Sequence, residues 1–200
     1  TLDCADDALH SNGSLTVSGG EFTIATGDDG MHADETTSVS GGVIRITECY
    51  EGIEGAVVDI SGGEIHIVAS DDGINAAGGK DQSGFGPRMD SFGGSAEYTI
   101  TLSGGVIYID ASGDGVDSNG DLLVTGGELY IDGPTSDGDG ALDYDGTGTI
   151  TGGTVVAAGS NGMAMNFGSA STQGSILLNL SGSAGQAVTV KDASGNVILT

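Results

Sequence analysis

Aligned on its Gly-Gly pairs, the chain sets an aliphatic residue two positions before each pair: Val17, Val39, Ile60, Leu102, Val124 and Ile150. After the pair, Phe22, Ile44, Ile65, Ile107, Leu129 and Val155 form a second apolar column, and Ile24, Ile46, Ile67, Ile109, Ile131 and Ala157 a third. Glu21, Thr23, Arg45, Glu64, His66, Tyr108, Glu128 and Tyr130 alternate with them. A period of two predicts strands with one wet face. No window carries 3.6-residue apolar spacing, which excludes a helical solenoid. Sandwich strands need not repeat one pattern at a fixed period, which disfavours a β-sandwich.

The pairs begin at Gly19, Gly41, Gly62, Gly104, Gly126 and Gly152, at intervals of 22, 21, 42, 22 and 26 residues. The interval of 42 reads as a doubled period, within which residues 78–97 form an irregular insertion. The last interval carries a smaller bulge around Gly133-Pro134-Thr135. Such a repeat predicts an all-β fold, a right-handed, single-stranded parallel β-helix with rungs of about 21–22 residues. Each strand then pairs with its equivalent one rung on, about 4.8 Å away. A rung consists of a strand, a Gly-Gly turn, a strand, an acidic turn and a short third strand. The β-helix is expected over 1–165. Residues 166–200 leave the ladder, and their runs Ile176 to Leu180, Ala187 to Val190 and Asn196 to Leu199, with a turn at Ser194-Gly195, predict a small antiparallel appendage.

Composition narrows the function. Acidic residues number 29 against four basic ones, a formal net charge of −25, which disfavours nucleic acid and anionic membrane as partners. No stretch approaches the roughly 18–20 apolar residues of a membrane span, so no membrane insertion is expected, nor is a signal peptide visible. The chain is expected to be soluble, and either mature or trimmed. The register of the apolar columns separates it from acidic disordered chains. With no Trp and few aromatics, the core is expected to be narrow and aliphatic. Cys4 and Cys49 lie two repeats apart, roughly 10 Å at the strand spacing, too far for an unstrained disulfide.

The acidic turn is the informative column. Its members are Asp6-Asp7-Ala8-Leu9-His10, Asp28-Asp29-Gly30-Met31-His32, Tyr50-Glu51-Gly52-Ile53-Glu54, Asp71-Asp72-Gly73-Ile74-Asn75, Gly113-Asp114-Gly115-Val116-Asp117 and Asp139-Gly140-Ala141-Leu142-Asp143. Two unit charges about 5 Å apart repel by roughly 3 kcal/mol at an effective dielectric of about 20. Several such pairs in line are costly against a total stability of about 5–15 kcal/mol. With four basic residues in the chain, a hard divalent cation is the economical remedy, and oxygen-only ligands beside a glycine turn suit Ca2+ better than zinc. The candidate ligands are Asp28, Asp29, Glu51, Glu54, Asp71, Asp72, Asp114, Asp117, Asp139 and Asp143. His10 and His32 sit in the same corner and read as hydrogen-bonded turn residues, and neither they nor His66 is assigned to zinc.

The runs Asp28-Asp29-Gly30-Met31-His32-Ala33-Asp34, Tyr50-Glu51-Gly52-Ile53-Glu54-Gly55 and Ser70-Asp71-Asp72-Gly73-Ile74-Asn75-Ala76-Ala77-Gly78-Gly79 resemble the clostridial cellulose- and acid-sugar-binding β-helix family. Gly133-Pro134-Thr135-Ser136 followed by Gly140-Ala141-Leu142-Asp143-Tyr144-Asp145-Gly146 resembles it too, so the likeness runs from residue 3 to about 165. It implies a secreted, cell-surface carbohydrate-binding module, similar in shape to polysaccharide lyases, with bound calcium and no established enzymatic activity. The chain departs from the family at Ala8, where a glycine is usual, which weakens the expectation of metal in the first rung.

Three functions are weighed. As a binder, the chain would use the outward column Thr23, Arg45, His66, Tyr108 and Tyr130, whose rings and donors suit cellulose or a polygalacturonate-like chain. A calcium-dependent lyase needs a base near the metal, and Arg45, Lys80, Arg88 and Lys191 are the only basic candidates, so no catalytic residue and no enzyme is expected. The third is a scaffold. Residue 1 begins within a rung with no cap before it, and an open terminal rung templates association, so a head-to-tail homo-oligomer or filament is the alternative expectation. A regular threonine array, as in ice binding, is absent from the mixed column.

Overall fold

The apolar columns fold as stacked ladders. The structure is a computed structural model describing residues 1–77, 98–183 and 185–200, and no helix occurs among the described residues. Its main sheet comprises β1 (Leu2–Cys4), β2 (Leu9–Ser11), β3 (Ser14–Thr26), β4 (Met31–Glu48), β5 (Ile53–Ala69) and β6 (Ile74–Ala76). It continues with β7 (Thr99–Ala111), β8 (Val116–Ser118), β9 (Asp121–Asp132), β10 (Leu142–Tyr144), β11 (Gly148–Ile150) and β12 (Thr154–Ala158). All pairings among these twelve are parallel, and they stack as a β-solenoid of about six turns.

Pairing follows the sequence columns residue for residue. Val17 faces Val39, then Ile60, Leu102 and Val124, and Ile24 faces Ile46, then Ile67, Ile109 and Ile131. These side chains are buried, and each fully buried isoleucine contributes about 1.5–3 kcal/mol. Ala157 is the exception: it stands in register with Ile131 but is exposed at the last strand. A further inward column, Met31, Ile53, Ile74, Val116 and Leu142, completes the core on the far side of the acidic turn. Its strands are too short to show a period of their own. Thr37 is the one polar member of the Val58, Ile100 and Leu122 column, and its hydroxyl donates to the Glu54 carbonyl at 2.6 Å.

The interval of 42 is not a doubled period. β5 pairs directly with β7, Ile67 opposite Ile109, so 42 residues make one step along the axis. The insertion expected at 78–97 lies outside the described residues. Cys4 and Cys49 are both free thiols, as their spacing requires, and burial pushes the Cys49 thiol up to about 12. After β12 the chain lies against the final coil. Gly168 N–H donates to Gly148 at 2.7 Å, Thr172 N–H to Ile150 at 3.1 Å, and Phe167 packs on the core. Beyond it, β13 (Val190–Lys191) and β14 (Val197–Leu199) form an antiparallel pair across the Ser194-Gly195 turn. Ile176 to Leu180 joins no strand and leaves its apolar side chains exposed, so the expected appendage is reduced to two strands.

The two glycines of each pair serve different needs. The second adopts a left-handed backbone, with φ of +106° at Gly63, which side chains resist. The first lies under the preceding coil: a Cβ on Gly62 would sit 2.6 Å from the Ser40 carbonyl oxygen. Gly19, at the first coil, has nothing within 4 Å of such a Cβ. Gly63→Ala is therefore expected to lose about 1–3 kcal/mol of unfolding free energy, whereas Gly19→Ala stays close to wild type, as denaturant titration of the two variants would show.

Candidate functional site

The parallel register turns the acidic turn into three adjacent ladders along one edge. Asp7, Asp29, Glu51, Asp72 and Asp114 stand one above another, because the N–H following each bonds to the carbonyl of the next member. His10, His32, Glu54, Asn75, Asp117 and Asp143 form a second ladder, carried by β2, β4, β5, β6, β8 and β10. Asp6, Asp28, Tyr50, Asp71 and Gly113 precede the first ladder's members by one residue, and Asp139 precedes Gly140, which takes the ladder's sixth position. The glycines between the ladders leave room for the core. A Cβ on Gly30 would lie 2.6 Å from the Ile46 side chain.

Much of the carboxylate charge is met by backbone. Asp7 Oδ1 accepts from the Asp29 N–H at 3.1 Å, Asp29 Oδ1 from Glu51 at 3.3 Å, and Asp72 Oδ1 from Asp114 at 2.6 Å. Asp114 accepts in turn from Gly140. Each bond ties one coil to the next at the point of greatest repulsion.

The remaining charge is handled differently at the two ends. In the N-terminal coils His32, 2% exposed, sits among carboxylates: its Nδ1 lies 2.8 Å from Glu54 and 3.2 Å from Asp29. Burial alone would lower its pKa, but the hydrogen bonds and charges of Asp29 and Glu54 outweigh burial and raise it to about 11. In the metal-free protein these carboxylates therefore favour the protonated form of His32. Its column position is legible in the sequence, where it is expected to be a hydrogen-bonded turn residue, but its carboxylate partners are not.

Toward the C-terminus no basic group enters the described cluster. Oxygens of Asp72, Asp114 and Asp117 lie within 4.8 Å of one another. Burial, followed by the charges of Asp114, Asp71 and Asp117, raises Asp72 to about 9. Burial also lifts Asp114 to about 7, against the Gly140 N–H bond. Two features beside the cluster fit a hard cation, one of them on Asn75, which is in register with Asp117. Buried Asn75 donates to Glu51 at 3.0 Å while its Oδ1 has no hydrogen-bond partner. Gly113 supplies a cradle, since a Cβ there would lie 2.5 Å from Asp72 Oδ1 and 2.6 Å from Asp71 Oδ1. Carboxylates plus an amide oxygen make an oxygen-only donor set, with carbonyls or water to complete it. Asn75 was not among the expected ligands.

The other expected ligands are dispersed. Asp28 falls with Asp6 and Asp7, and Glu51 is raised well above the usual carboxylate range by burial, then by Glu54, Asp29 and Asp72. Asp139 accepts from Ser136 at 2.5 Å, and half-buried Asp143 lies at the end of its ladder with its pKa raised by burial.

On the neighbouring wet face, Thr23, Arg45, His66, Tyr108 and Tyr130 are in register as expected. Arg45 pairs with Glu64 at 3.1 Å, and so does His66 Nε2. The His66 and Tyr108 rings stack at 4.7 Å and Tyr108 and Tyr130 at 5.1 Å, so their faces are turned toward one another along the axis. The outward surface consists of ring edges and hydroxyls, and Tyr130 donates to Glu128 at 2.7 Å. Beside this aromatic ladder runs an open groove of about 330 Å³, bounded by Asp110 and Asp132 and by Val68 and Val156. Lys191 lies in β13, and Lys80 and Arg88 fall outside the described residues.

The fold and site define a parallel β-solenoid with an acidic, graded corner. No protein-family model matches the chain, and neither the curated proteins nor the solved structures contain a match.

These pKa directions fix the pH response of the metal-free protein. Asp72 and His32 both have folded values above their unfolded ones, so each favours folding in its protonated form. The Asp72 contribution is lost as pH rises from near 4 to about 9, and that of His32 from 6.5 to about 11. Melting temperature in excess chelator is expected to fall steadily between pH 5 and 9 by scanning calorimetry (roughly the window these two groups span).

Proposed function

We propose that this protein is an extracellular, calcium-stabilised carbohydrate-binding β-helix that holds polysaccharide without turnover. A neutral glucan such as cellulose binds directly, and an acidic, polygalacturonate-like chain binds through calcium. The groove beside the aromatic ladder carries this reading. It is open, apolar at Val68 and Val156, and walled by hydroxyls and carboxylates that recur once per coil. That repeat is close to the length of one sugar in an extended polysaccharide. Sugar hydroxyls donate to Asp110 and Asp132 while their C–H faces pack on Val68 and Val156. Since the Tyr108 and Tyr130 faces are taken up by each other, recognition runs through edges and hydroxyls rather than ring stacking. The same carboxylates repel a polyuronate, which is why acidic chains need a bridging cation. The resemblance to the clostridial sugar-binding family supports the same assignment.

Calcium is assigned to Asp71, Asp72, Asn75, Asp114 and Asp117. When bound, it neutralises the carboxylates that burial leaves without a counter-charge, and so locks adjacent coils together. Asp72→Asn keeps the oxygen that accepts from Asp114 N–H while removing a group whose ionisation the fold disfavours. It is expected to melt no lower than wild type in chelator at pH 8, yet to lose the gain that calcium gives wild type, about 2.7 kcal/mol at a hundredfold excess over Kd. An equal calcium response in the two proteins would remove the metal from this cluster.

Binding is tested by retention on insoluble cellulose and on covalently cross-linked polygalacturonate with calcium. Tyr108→Ala and Asp110→Ala are expected to reduce retention on both, and chelator to abolish it on polygalacturonate alone. Release of unsaturated uronate would instead make the protein a lyase. The exposed Ile176, Leu178, Leu180, Val188, Val197 and Ile198 favour a second reading, a self-assembling scaffold. Concentration-dependent sedimentation of the calcium-loaded chain without retention on either matrix would establish it.

A further inference from the structure

The N-terminal end of the acidic corner differs chemically from the rest, because two of its ladder positions are imidazoles. His10 and His32 are in register on β2 and β4, and their rings stack at 5.0 Å with 20° between planes. Both turn Nδ1 toward one shared carboxylate, Asp7. His10 Nδ1 lies 2.6 Å from Asp7 Oδ2, and His32 Nδ1 lies 3.9 Å from that same oxygen. Glu54 and Asp29 close the other side of His32 at 2.8 and 3.2 Å. The ligand atoms of Asp7, His10 and His32 fall within 4.8 Å of one another, as do those of Asp29, His32 and Glu54.

A second observation concerns the far edges of the rings. His32 Nε2 and Asp34 Oδ1 are buried atoms without a hydrogen-bond partner, and they face each other across 3.7 Å. Metal-ligating histidines commonly present one nitrogen to the ion and direct the other toward a carboxylate, which sets the tautomer and orients the ring. His32 has that arrangement, with Nδ1 toward the cluster and Asp34 behind it. Ion pairing of His32 explains its own contacts with Asp29 and Glu54. It does not explain a second imidazole stacked in register and aimed at the same group.

We propose that His10, His32 and Asp7, with Asp29 or Glu54 as a further oxygen ligand, form a site for a borderline divalent transition metal of the zinc class. This site is separate from the oxygen-only cluster two coils away. Two imidazole nitrogens with carboxylates match the preferences of zinc or cobalt(II), whereas calcium takes oxygen ligands. The corner thus sorts cations by donor type along one edge of one solenoid.

The test uses the full chain with calcium in excess, titrated with cobalt(II) and followed by visible absorption, then back-titrated with zinc. One equivalent of cobalt(II) is expected, with nitrogen-ligated d–d bands that zinc abolishes. His10→Ala is the discriminating variant. His10 is partly exposed, so its removal leaves the His32–Glu54 pair in place and the metal-free melting temperature near that of wild type. If the site exists, His10→Ala weakens cobalt binding by more than about tenfold, and His32→Gln does so as well. No cobalt bound in the presence of calcium overturns the proposal. So does equal affinity in wild type and His10→Ala, which would leave His32 a counter-ion alone.

Discussion

Parallel, in-register stacking sets every side chain about one strand spacing from its copy in the next coil. For isoleucine this is pure gain, because a column of identical branched side chains fills a narrow core without voids. For a carboxylate it is a liability that grows with each turn. The acidic corner exists because this liability is met locally. Aspartates accept from the backbone of the following coil, and the second ladder is interrupted by imidazole at His32 and amide at Asn75. What remains unmet falls at Glu51, Asp72 and Asp114, where burial and neighbouring carboxylates raise the carboxyl groups above their usual range. Stability and cation affinity are two aspects of the same register.

Columns that repeat at a fixed offset were legible in the sequence because the glycine pairs supply a ruler. Val17 through Ile150 and Ile24 through Ile131 could be assigned from it, and so could the outward Thr23 to Tyr130 strip. Side-chain direction within a column was not legible. Nothing in the order of residues says that His32 turns its Nδ1 into Asp29 and Glu54, or that the Tyr108 and Tyr130 rings spend their faces on each other. Those outcomes depend on which rotamers survive neighbours one coil above and below. The interval of 42 is ambiguous in the sequence for a related reason. Counting residues along the chain does not distinguish an extra coil from extra residues within one, whereas strand pairing does.

Asn75 shows how much a single ladder position can alter the chemistry. It takes the place that Glu54 and Asp117 hold on either side. A carboxylate there would have joined Asp72 and Asp114 in mutual repulsion. The amide instead gives Glu51 a donor and leaves an oxygen uncommitted. Its neutrality interrupts one run of charge while still offering a ligand atom.

The pairing of Ile67 with Ile109 carries a wider consequence. Forty-two residues separate them and 22 separate Ile109 from Ile131, yet every column continues unshifted across both steps. Circumference and axis are therefore independent variables in this architecture. Evolution can lengthen a single turn at a corner without re-registering the turns beyond it, and can add turns without disturbing the corners already present. A chain built this way can acquire new surface loops as freely as it acquires new length, and the core records neither event.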